Sequence, residues 1–222
     1  MKIAILALQG AFAEHEQMFR QLGTETTLIR NLDDFYSTFQ KPPSRPLSIS
    51  PEGESFSRQE ASPRGGLEGV ERAGLAIPGG ESTAMMRIMK DEGLFEPLRQ
   101  AILDGLPVLG TCAGLIMLDR NHLGVMDITA RRNAYGRQLG SFNTEAEFAG
   151  IGRVAMTFIR APYIEEAGPE VEILARVDGK AVAARQGNML VTAFHPELTD
   201  DTRIHELFLK MVGHLHIERS NQ

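Results

Sequence analysis

The sequence PVLGTCAGLIML, residues 107–118, joins an apolar segment of strand character to an apolar segment of helix character through a glycine-flanked turn. The strand character ends at Leu109, and the helix character begins at Leu115. Cys112, the one cysteine in the sequence, lies in the turn between them. This pattern predicts a nucleophile elbow, in which a reactive side chain stands on a strained strand-to-helix turn.

Cys112 is therefore a candidate nucleophile. An elbow places the side chain at the carboxyl edge of a parallel sheet, where open α/β sheets bind ligands. It also places the sulfur at a helix N-terminus, where unpaired N–H groups stabilise a thiolate. The alternative is a small buried apolar residue, which is the more common role of a lone cysteine without such a context.

The segments around the elbow alternate between strand and helix. Strands are predicted at Ile3 to Leu8, Thr26 to Ile29, Leu75 to Ile77 and Pro107 to Leu109. Helices are predicted at Ala11 to Leu22, around Met85 to Met89 and at Leu98 to Leu103. Strands that are apolar on both faces are typical of a parallel sheet between two helical layers, so we expect an α/β fold with a mostly parallel sheet.

The C-terminal half has a different pattern, which predicts additional antiparallel strands beyond about Asn143. Apolar residues alternate at Val154, Met156 and Phe158, and further apolar segments follow at Val171 to Val177, Ala181 to Ala184 and Met189 to Phe194. A final helix is predicted from one apolar stripe, formed by Ile204, Leu207, Phe208, Met211, Val212 and Leu215.

Residues 41–66 interrupt the alternation of strands and helices. These 26 residues contain 5 Pro, 6 Ser and 3 Gly, with too few large apolar side chains to offset the entropy of ordering them. A chain of 222 residues allows one α/β domain or two small ones. We expect a single domain over residues 1–222, with a flexible surface insertion at about 36–66.

The composition excludes several classes of protein. Lys and Arg number 23 against 29 Asp and Glu, and the net charge of -6 disfavours a nucleic-acid partner. No apolar run approaches the roughly 20 residues that span a bilayer, which disfavours a membrane partner. The apolar start is short and interrupted by Gln9, unlike a signal peptide, so we expect a cytoplasmic location.

His195 is the candidate general base. The sequence Phe194-His195-Pro196-Glu197 follows an apolar segment, so the imidazole is also expected at the edge of the sheet. Pro196 disfavours helix at His195, and in an extended chain Glu197 points the same way and can fix the imidazole tautomer. The alternative is a surface turn. The remaining histidines are expected to be solvated or to cap helices: His15, His122, His205, His214 and His216.

A glycine-rich loop, Pro78-Gly79-Gly80-Glu81-Ser82-Thr83, follows the strand at 75–77. Two glycines before a helix leave backbone N–H groups free to face a ligand, which suits an oxyanion hole or an anion site. The alternative is a plain strand-to-helix turn with Ser82 or Thr83 as the helix cap.

Taken together, these motifs resemble those of the triad-type (class I) glutamine amidotransferases, and within them the glutaminase subunits of pyridoxal phosphate synthase. The narrower resemblance rests on Leu8 to Ala11 with Glu14 and His15, Pro78 to Thr83, Gly110 to Gly114, Arg131 to Gln138, Phe158 to Pro162 and Phe194 to Thr199. It implies a flavodoxin-like three-layer sandwich that hydrolyses L-glutamine to L-glutamate and ammonia for vitamin B6 biosynthesis, without a cofactor or metal.

The resemblance also implies a role for each matching residue. Cys112, His195 and Glu197 would form a Cys-His-Glu triad that acts through a thioester. The N–H groups of Gly80 and Ala113 would bind the oxyanion. The positions expected to bind glutamine are Gly80, Glu81, Ser82, Arg132, Ile159 and Arg160.

The implied partner is a barrel-shaped, PdxS-type synthase subunit that receives the ammonia within a large hetero-oligomer. Gln9 and Gly10 match the partner-facing region, with Gln9 as an activation residue. Two alternatives stay open: a stand-alone cysteine hydrolase of a related flavodoxin-like type, and a binding subunit that has lost its chemistry. The glycine-rich loop and the Arg-rich segment, Arg131 to Gln138, disfavour the first, and the complete triad disfavours the second.

Overall fold

Eleven strands form one mixed sheet in the computed structural model, which describes residues 1–39, 73–132 and 141–219. The strands are β1 (Lys2–Leu6), β2 (Glu25–Ile29), β3 (Ala73–Ile77), β4 (Val108–Thr111), β5 (Ile128–Arg131), β6 (Ser141–Phe148), β7 (Gly152–Ile159), β8 (Tyr163–Ala167), β9 (Glu172–Val177), β10 (Lys180–Gln186) and β11 (Met189–Thr192). The helices are α1 (Phe12–Gln21), α2 (Leu32–Phe39), α3 (Ser82–Asp91), α4 (Phe95–Leu103), α5 (Ala113–Leu118) and α6 (Arg203–Arg219), and a 3₁₀ turn spans Pro196–Leu198.

Five parallel strands form the centre of the fold in the order β2-β1-β3-β4-β11. This is the 2-1-3-4-5 arrangement of flavodoxin-like folds, with β11 as the fifth strand. Strands β4 and β11 are hydrogen-bonded neighbours, and Thr111 at the end of one pairs with Thr192 at the end of the other. The loops after these two strands are therefore brought together.

Helices cover both faces of the parallel strands, as β3 shows directly. Gly74 lies against Phe208 and Val212 of α6, so a Cβ atom there would come within 3.0 Å of the Phe208 ring. Ile77, three residues further along the strand, contacts Gly114 of α5 instead. Because alternate residues of a strand face opposite sides, α5 and α6 lie on opposite faces. The predicted three-layer arrangement is confirmed.

Helix α6 uses its predicted apolar stripe to cover the sheet. Ile204, Phe208 and Val212 are fully buried, and Phe208 packs on Phe19 of α1. The side chain of Leu215, the last member of the stripe, lies outside the described residues. None of the described helices combines the length and the apolar character needed to cross a bilayer.

An antiparallel extension continues the sheet beyond β11. Strand β10 pairs antiparallel with β11, and β9, β6 and β7 follow in that order, while β5 and β8 form a side branch next to β10. The predicted additional strands are thus present, although the pattern did not identify β5, β6 or β8. Strand β11, which was predicted among the antiparallel strands, pairs antiparallel with β10 but parallel with β4.

The predicted insertion at about 36–66 begins inside α2, which the sequence pattern did not identify. Phe35 and Phe39 of this helix are both buried. Residues 40–66 lie outside the described residues, so the single domain with a flexible insertion stays a prediction.

Candidate active site

Cys112 occupies a strained turn between β4 and α5. Its φ of 49° and ψ of -99° lie outside the regions that residues with a side chain normally adopt. Glycine is needed on both sides, because a Cβ atom at Gly110 would lie 2.9 Å from the backbone of Gly114, and one at Gly114 would overlap the carbonyl oxygen of Ile77. The predicted elbow is confirmed.

His195 reaches the same edge of the sheet from β11. Its Nδ1 atom lies 2.7 Å from Oε1 of Glu197, and both side chains are buried. The predicted contact is present, but the predicted extended backbone is wrong, because Pro196–Leu198 form a 3₁₀ turn. Since Pro196 has a fixed φ and no N–H, it suits the first position of such a turn, and the turn folds Glu197 back onto the imidazole.

Cys112 and His195 interact across the adjacent ends of β4 and β11, and both line one cavity. Burial alone would lower the pKa of His195, but its hydrogen bonds to Cys112 and Glu197 outweigh burial and raise it to about 10. Burial would raise the pKa of Glu197, but the neighbouring His15 and His195 hold it below its usual value. The arrangement therefore favours an ionised carboxylate and a protonated imidazole beside the sulfur.

The cavity next to Cys112 has a volume of about 490 Å³, within the range of small-molecule sites. Of the residues predicted to act in the site, those that line it are Gly10, Gly80, Glu81, Ser82, Cys112, Ala113, Arg132, Ile159, Arg160 and His195. Glu197 stands behind His195, and Gln9 stands behind the glycine-rich loop, so neither forms part of the wall. Within the described ranges, no group of three or more His, Cys, Asp or Glu is placed to hold a metal ion.

The glycine-rich loop lies between the predicted partner-facing residues and the triad. The N–H of Glu81 donates to Oε1 of Gln9 at 2.7 Å. The carbonyl of Gly79 accepts from the N–H of Ala11 at 3.0 Å, and a Cβ atom at Gly10 would overlap that carbonyl. The residues at positions 9–11 therefore set the position of the loop.

Glu81 is the cap of helix α3, rather than Ser82 or Thr83. Its carboxylate accepts from the N–H of Thr83 at 3.1 Å and from that of Ala84 at 2.7 Å. These two hydrogen bonds lower the pKa of Glu81. Arg132, which also lines the cavity, donates to the Thr83 hydroxyl at 3.2 Å. The loop thus contains a helix cap and also lines the cavity.

Ile159 and Arg160 also line the cavity. The carbonyl oxygen of Ile159 lies 3.9 Å from Sγ of Cys112, within reach of a thiol donor. Arg160 has a φ of 45°, the second strained backbone in the cavity wall besides Cys112. Strain of this kind persists only where the surrounding structure holds it, and it is concentrated at functional sites.

The expectation that His15 and His205 are solvated or capping residues is wrong. Both side chains are fully buried, and Nδ1 of His15 lies 3.1 Å from Nε2 of His205. Helical periodicity could have revealed this, because His15 shares a face of α1 with the buried Met18 and Phe19. His122 bonds the Asp119 carboxylate at 2.7 Å, and the side chains of His214 and His216 lie outside the described residues.

Residues 5–214 match the model of the family described as SNO glutamine amidotransferase. The chain belongs to this family. Two relatives, each named pyridoxal 5'-phosphate synthase subunit PdxT, come from Streptococcus pneumoniae strains CGSP14 and JJA. Each is 50% identical over 218 residues, which cover 95% of this chain and 97% of the relative. The resemblance drawn from the motifs is confirmed.

Solved structures support the SNO assignment at the level of the fold. One described as a glutamine amidotransferase is 34% identical, has a TM-score of 0.75, and is matched over 95% of this chain and 98% of that chain. PurLQS from Thermotoga maritima shares only 11% identity, with a TM-score of 0.61 over 94% of this chain and 97% of that chain. At that identity the likeness concerns the fold alone.

Proposed function

We propose that the chain is a glutaminase subunit that hydrolyses L-glutamine to L-glutamate and ammonia through Cys112, His195 and Glu197. The observation that carries the proposal is the buried His195, which interacts with Cys112 on one side and with Glu197 on the other, at the wall of a cavity large enough for an amino acid. This is the order of nucleophile, base and orienting group that acyl transfer requires.

In the first half of the reaction, the Cys112 sulfur attacks the side-chain amide carbon of glutamine. Glu197 occupies Nδ1 of His195, so Nε2 is the ring nitrogen that exchanges a proton with the thiol. The protonated imidazole then gives this proton to the amide nitrogen as the carbon–nitrogen bond breaks. Ammonia leaves, and a glutamyl thioester on Cys112 remains.

In the second half, water resolves the thioester. His195 takes a proton from the water as its oxygen attacks the thioester carbon, and the proton returns to the departing Cys112 sulfur. Glutamate is released, and the triad regains its starting state. Glu197 stays ionised throughout and keeps the proton of His195 on Nδ1 whenever the ring is neutral.

The N–H groups of Gly80 and Ala113 are the proposed oxyanion donors. Ala113 is the first residue of α5, so its N–H has no partner within the helix and carries the positive end of the helix dipole. Gly80 also lines the cavity, and a Cβ atom there would lie 2.7 Å from Oε1 of Gln9. Losing one donor of this kind typically costs about a hundredfold to a thousandfold in rate.

The charged ends of glutamine have matching groups in the cavity wall. Arg132 and Arg160 suit the α-carboxylate, because guanidinium groups bind carboxylates through paired hydrogen bonds. Glu81 suits the ammonium, since a carboxylate with two N–H bonds still has free lone pairs. Ser82 and Ile159 complete the proposed binding surface.

The proposed partner is a PdxS-type synthase subunit, which would use the ammonia to make pyridoxal 5'-phosphate within a large hetero-oligomer. The support comes from the name of the PdxT relatives, which are synthase subunits at 50% identity. Gln9 and Gly10 are the proposed partner-facing residues, because they contact the loop that contains Gly80 and could transmit docking to it.

The test combines covalent labelling with a glutamate-release assay. A glutamine-analogue electrophile should add its mass to Cys112 and abolish hydrolysis, and Cys112→Ala should release no ammonia. Adding the synthase subunit should raise glutamate release strongly. Labelling at another residue, or full activity of the alanine variant, would refute the triad. Equal rates with and without the synthase would favour a stand-alone hydrolase, and no hydrolysis under either condition would favour a binding subunit.

A further inference from the structure

Two more histidines continue the triad on the side of Glu197 that faces away from His195. Nε2 of His15, on helix α1, lies 3.4 Å from Oε2 of Glu197 and 3.0 Å from the Thr111 hydroxyl. Nδ1 of the same ring lies 3.1 Å from Nε2 of His205, on helix α6. All these side chains are buried, so water does not compete for their hydrogen bonds.

The two carboxylate oxygens of Glu197 have different surroundings: one has a short hydrogen bond, and the other faces His15. Oε1 is bonded to Nδ1 of His195 at 2.7 Å. Oε2 is buried, and among the described residues it has no regular hydrogen bond, while Nε2 of His15 lies 3.4 Å away. An ionised oxygen buried without a donor is costly, so this long contact matters for where the carboxylate sits.

The acceptor character of Glu197 fixes the proton positions along the chain. For His15 to offer Glu197 a donor, its proton must be on Nε2, and Nδ1 must then accept from Nε2 of His205. Nδ1 of His205 then carries a lone pair and no proton. This buried atom has no partner among the described residues. An unpaired lone pair costs less than an unpaired N–H, so this pattern is the consistent one.

We infer that His15, held by His205, is a positioning residue for the triad: it fixes the Glu197 carboxylate, and through it the orientation and tautomer of His195. The inference rests on the proposed glutaminase function, since it assigns a role relative to that reaction. His15 touches neither the cavity nor the reacting atoms, because Glu197 stands between it and His195.

The charges around His15 indicate that it acts as a neutral donor. Burial lowers its pKa, and His195 adds to this, while Glu197 and Glu14 oppose it. Burial and His15 together lower the pKa of His205 to about 3, against the opposing effect of Glu197. Near neutral pH both rings are uncharged. A neutral substitution at position 15 therefore leaves the net charge unchanged and alters His195 through geometry.

Two nearly isosteric substitutions separate the two ring nitrogens of His15. His15→Gln places an amide N–H group where Nε2 stands, so it keeps a donor for Glu197. His15→Asn places its amide where Nδ1 stands, so it keeps a partner for His205 and removes the donor to Glu197. Both are buried amides of similar polarity, and only one of them preserves the proposed role.

The experiment measures kcat, KM and the pH profile of glutamine hydrolysis for the full chain in complex with the synthase. Iodoacetamide labelling of Cys112 against pH is a second readout that needs no glutamine. We expect His15→Asn to lose about tenfold to a hundredfold in kcat with little change in KM, as for other groups that orient a first-contact residue. The alkaline limb of the pH profile of His15→Asn should move to lower pH, because a displaced Glu197 no longer raises the pKa of His195. His15→Gln should keep most of the wild-type kcat and most of the wild-type pH profile.

Equal losses in the two variants with unchanged pH profiles would show a purely structural role and overturn the inference, as would a His15→Asn variant with wild-type kcat. If position 15 tolerates neither amide, His205→Phe is the second variant: it keeps the ring contact with Phe19 and removes the donor to Nδ1 of His15. His205→Phe should shift the pH profile in the same direction as His15→Asn, and an unchanged profile would contradict the inference. A wild-type complex that hydrolyses no glutamine would instead refute the proposed function, with the labelling profile still testing His15.

Discussion

The imidazole of His195 rests directly on the α-carbon of Gly79. A Cβ atom at position 79 would overlap Cε1 of the ring and lie 2.9 Å from Nδ1, the atom that Glu197 holds. Besides the oxyanion role proposed for the Gly80 N–H group, the glycine-rich loop therefore sets the plane in which the His195 ring can lie.

The substitution Gly79→Ala is expected to displace His195 and to reduce glutamine hydrolysis by at least a hundredfold, since small displacements of a catalytic group cost about that much. Gly213→Ala is the matched control. It lies in helix α6, where Met1 at 3.8 Å is the one described atom that an added Cβ would meet, and it should keep full activity while gaining about 0.5–1 kcal/mol in unfolding free energy. Steady-state kinetics and denaturant unfolding measure both. Full activity in Gly79→Ala would contradict the assigned contact.

Replacing Glu197 with Gln is expected to shift the pH dependence of the enzyme. The carboxylate helps raise the pKa of His195 to about 10, so its loss should move the alkaline limb of kcat/KM to lower pH. The rate should also fall about a thousandfold or more, because an amide that donates to Nδ1 forces the proton onto Nε2. Glu165→Gln, on a surface glutamate that accepts from Arg131, should leave the profile unchanged. An unshifted alkaline limb in Glu197→Gln would argue against the pairing.

The buried histidine pair should make the fold sensitive to mild acid. The pKa of His15 and that of His205 are lowered from 6.5, the latter to about 3, so below 6.5 the unfolded chain binds protons that the folded chain does not. Stability is then lost as the pH falls through this range. The pKa of His195 is raised, so the stability that its protonated ring contributes to the fold is fully present below pH 6.5. It is lost only as the pH rises towards 10. The pKa of Glu197 is lowered from 4.5, so the stability that its ionised carboxylate contributes is lost only at more acid pH.

We therefore expect the thermal midpoint to fall between about pH 7 and about pH 5, and to fall less steeply in His205→Gln, which cannot take up a proton there. The amide keeps a donor at the position of Nε2, so His15 retains its partner. Calorimetry at several pH values measures the slopes. Identical slopes for the two proteins would mean that His205 is not the group that titrates.

Arg132→Gln should weaken glutamine binding. The guanidinium faces the cavity and is held by the Thr83 hydroxyl, so it is placed to bind a carboxylate. Losing a hydrogen bond to a charged group costs about 1.5–3 kcal/mol, which corresponds to about a tenfold to a hundredfold rise in KM. Arg87→Gln is the control, since Arg87 forms an exposed ion pair with Asp91 and does not line the cavity. A fall in kcat with unchanged KM would assign Arg132 a different role.

The sequence predicts well those features whose signals are local. The apolar segments around Cys112 are continuous, and the glycines beside it occupy positions where a side chain would collide, so the elbow is visible in ten residues or so. The contact between His195 and Glu197 is equally local, even though Pro196 creates it through a 3₁₀ turn and not through an extended chain.

Long-range packing explains what could not be predicted. His15 and His205 meet across 190 positions, and only the packing of α1 against α6 turns two helical histidines into a hydrogen-bonded pair. The burial of His15 has a local signal in the helical periodicity, but its meeting with His205 has none. The cap of α3 is a local feature, and there Glu81 takes the place that the alternative interpretation gave to Ser82 or Thr83.

The position of β11 has a consequence for how the protein is made. It is the last strand in the described part of the chain, yet it lies inside the sheet between β4 and β10. A ribosome delivers residues in order, so the nascent chain carries the elbow long before it carries the strand that brings His195. On the proposed mechanism, Cys112 has no base until β11 enters this gap, so hydrolysis of glutamine would start only after β11 has been synthesised.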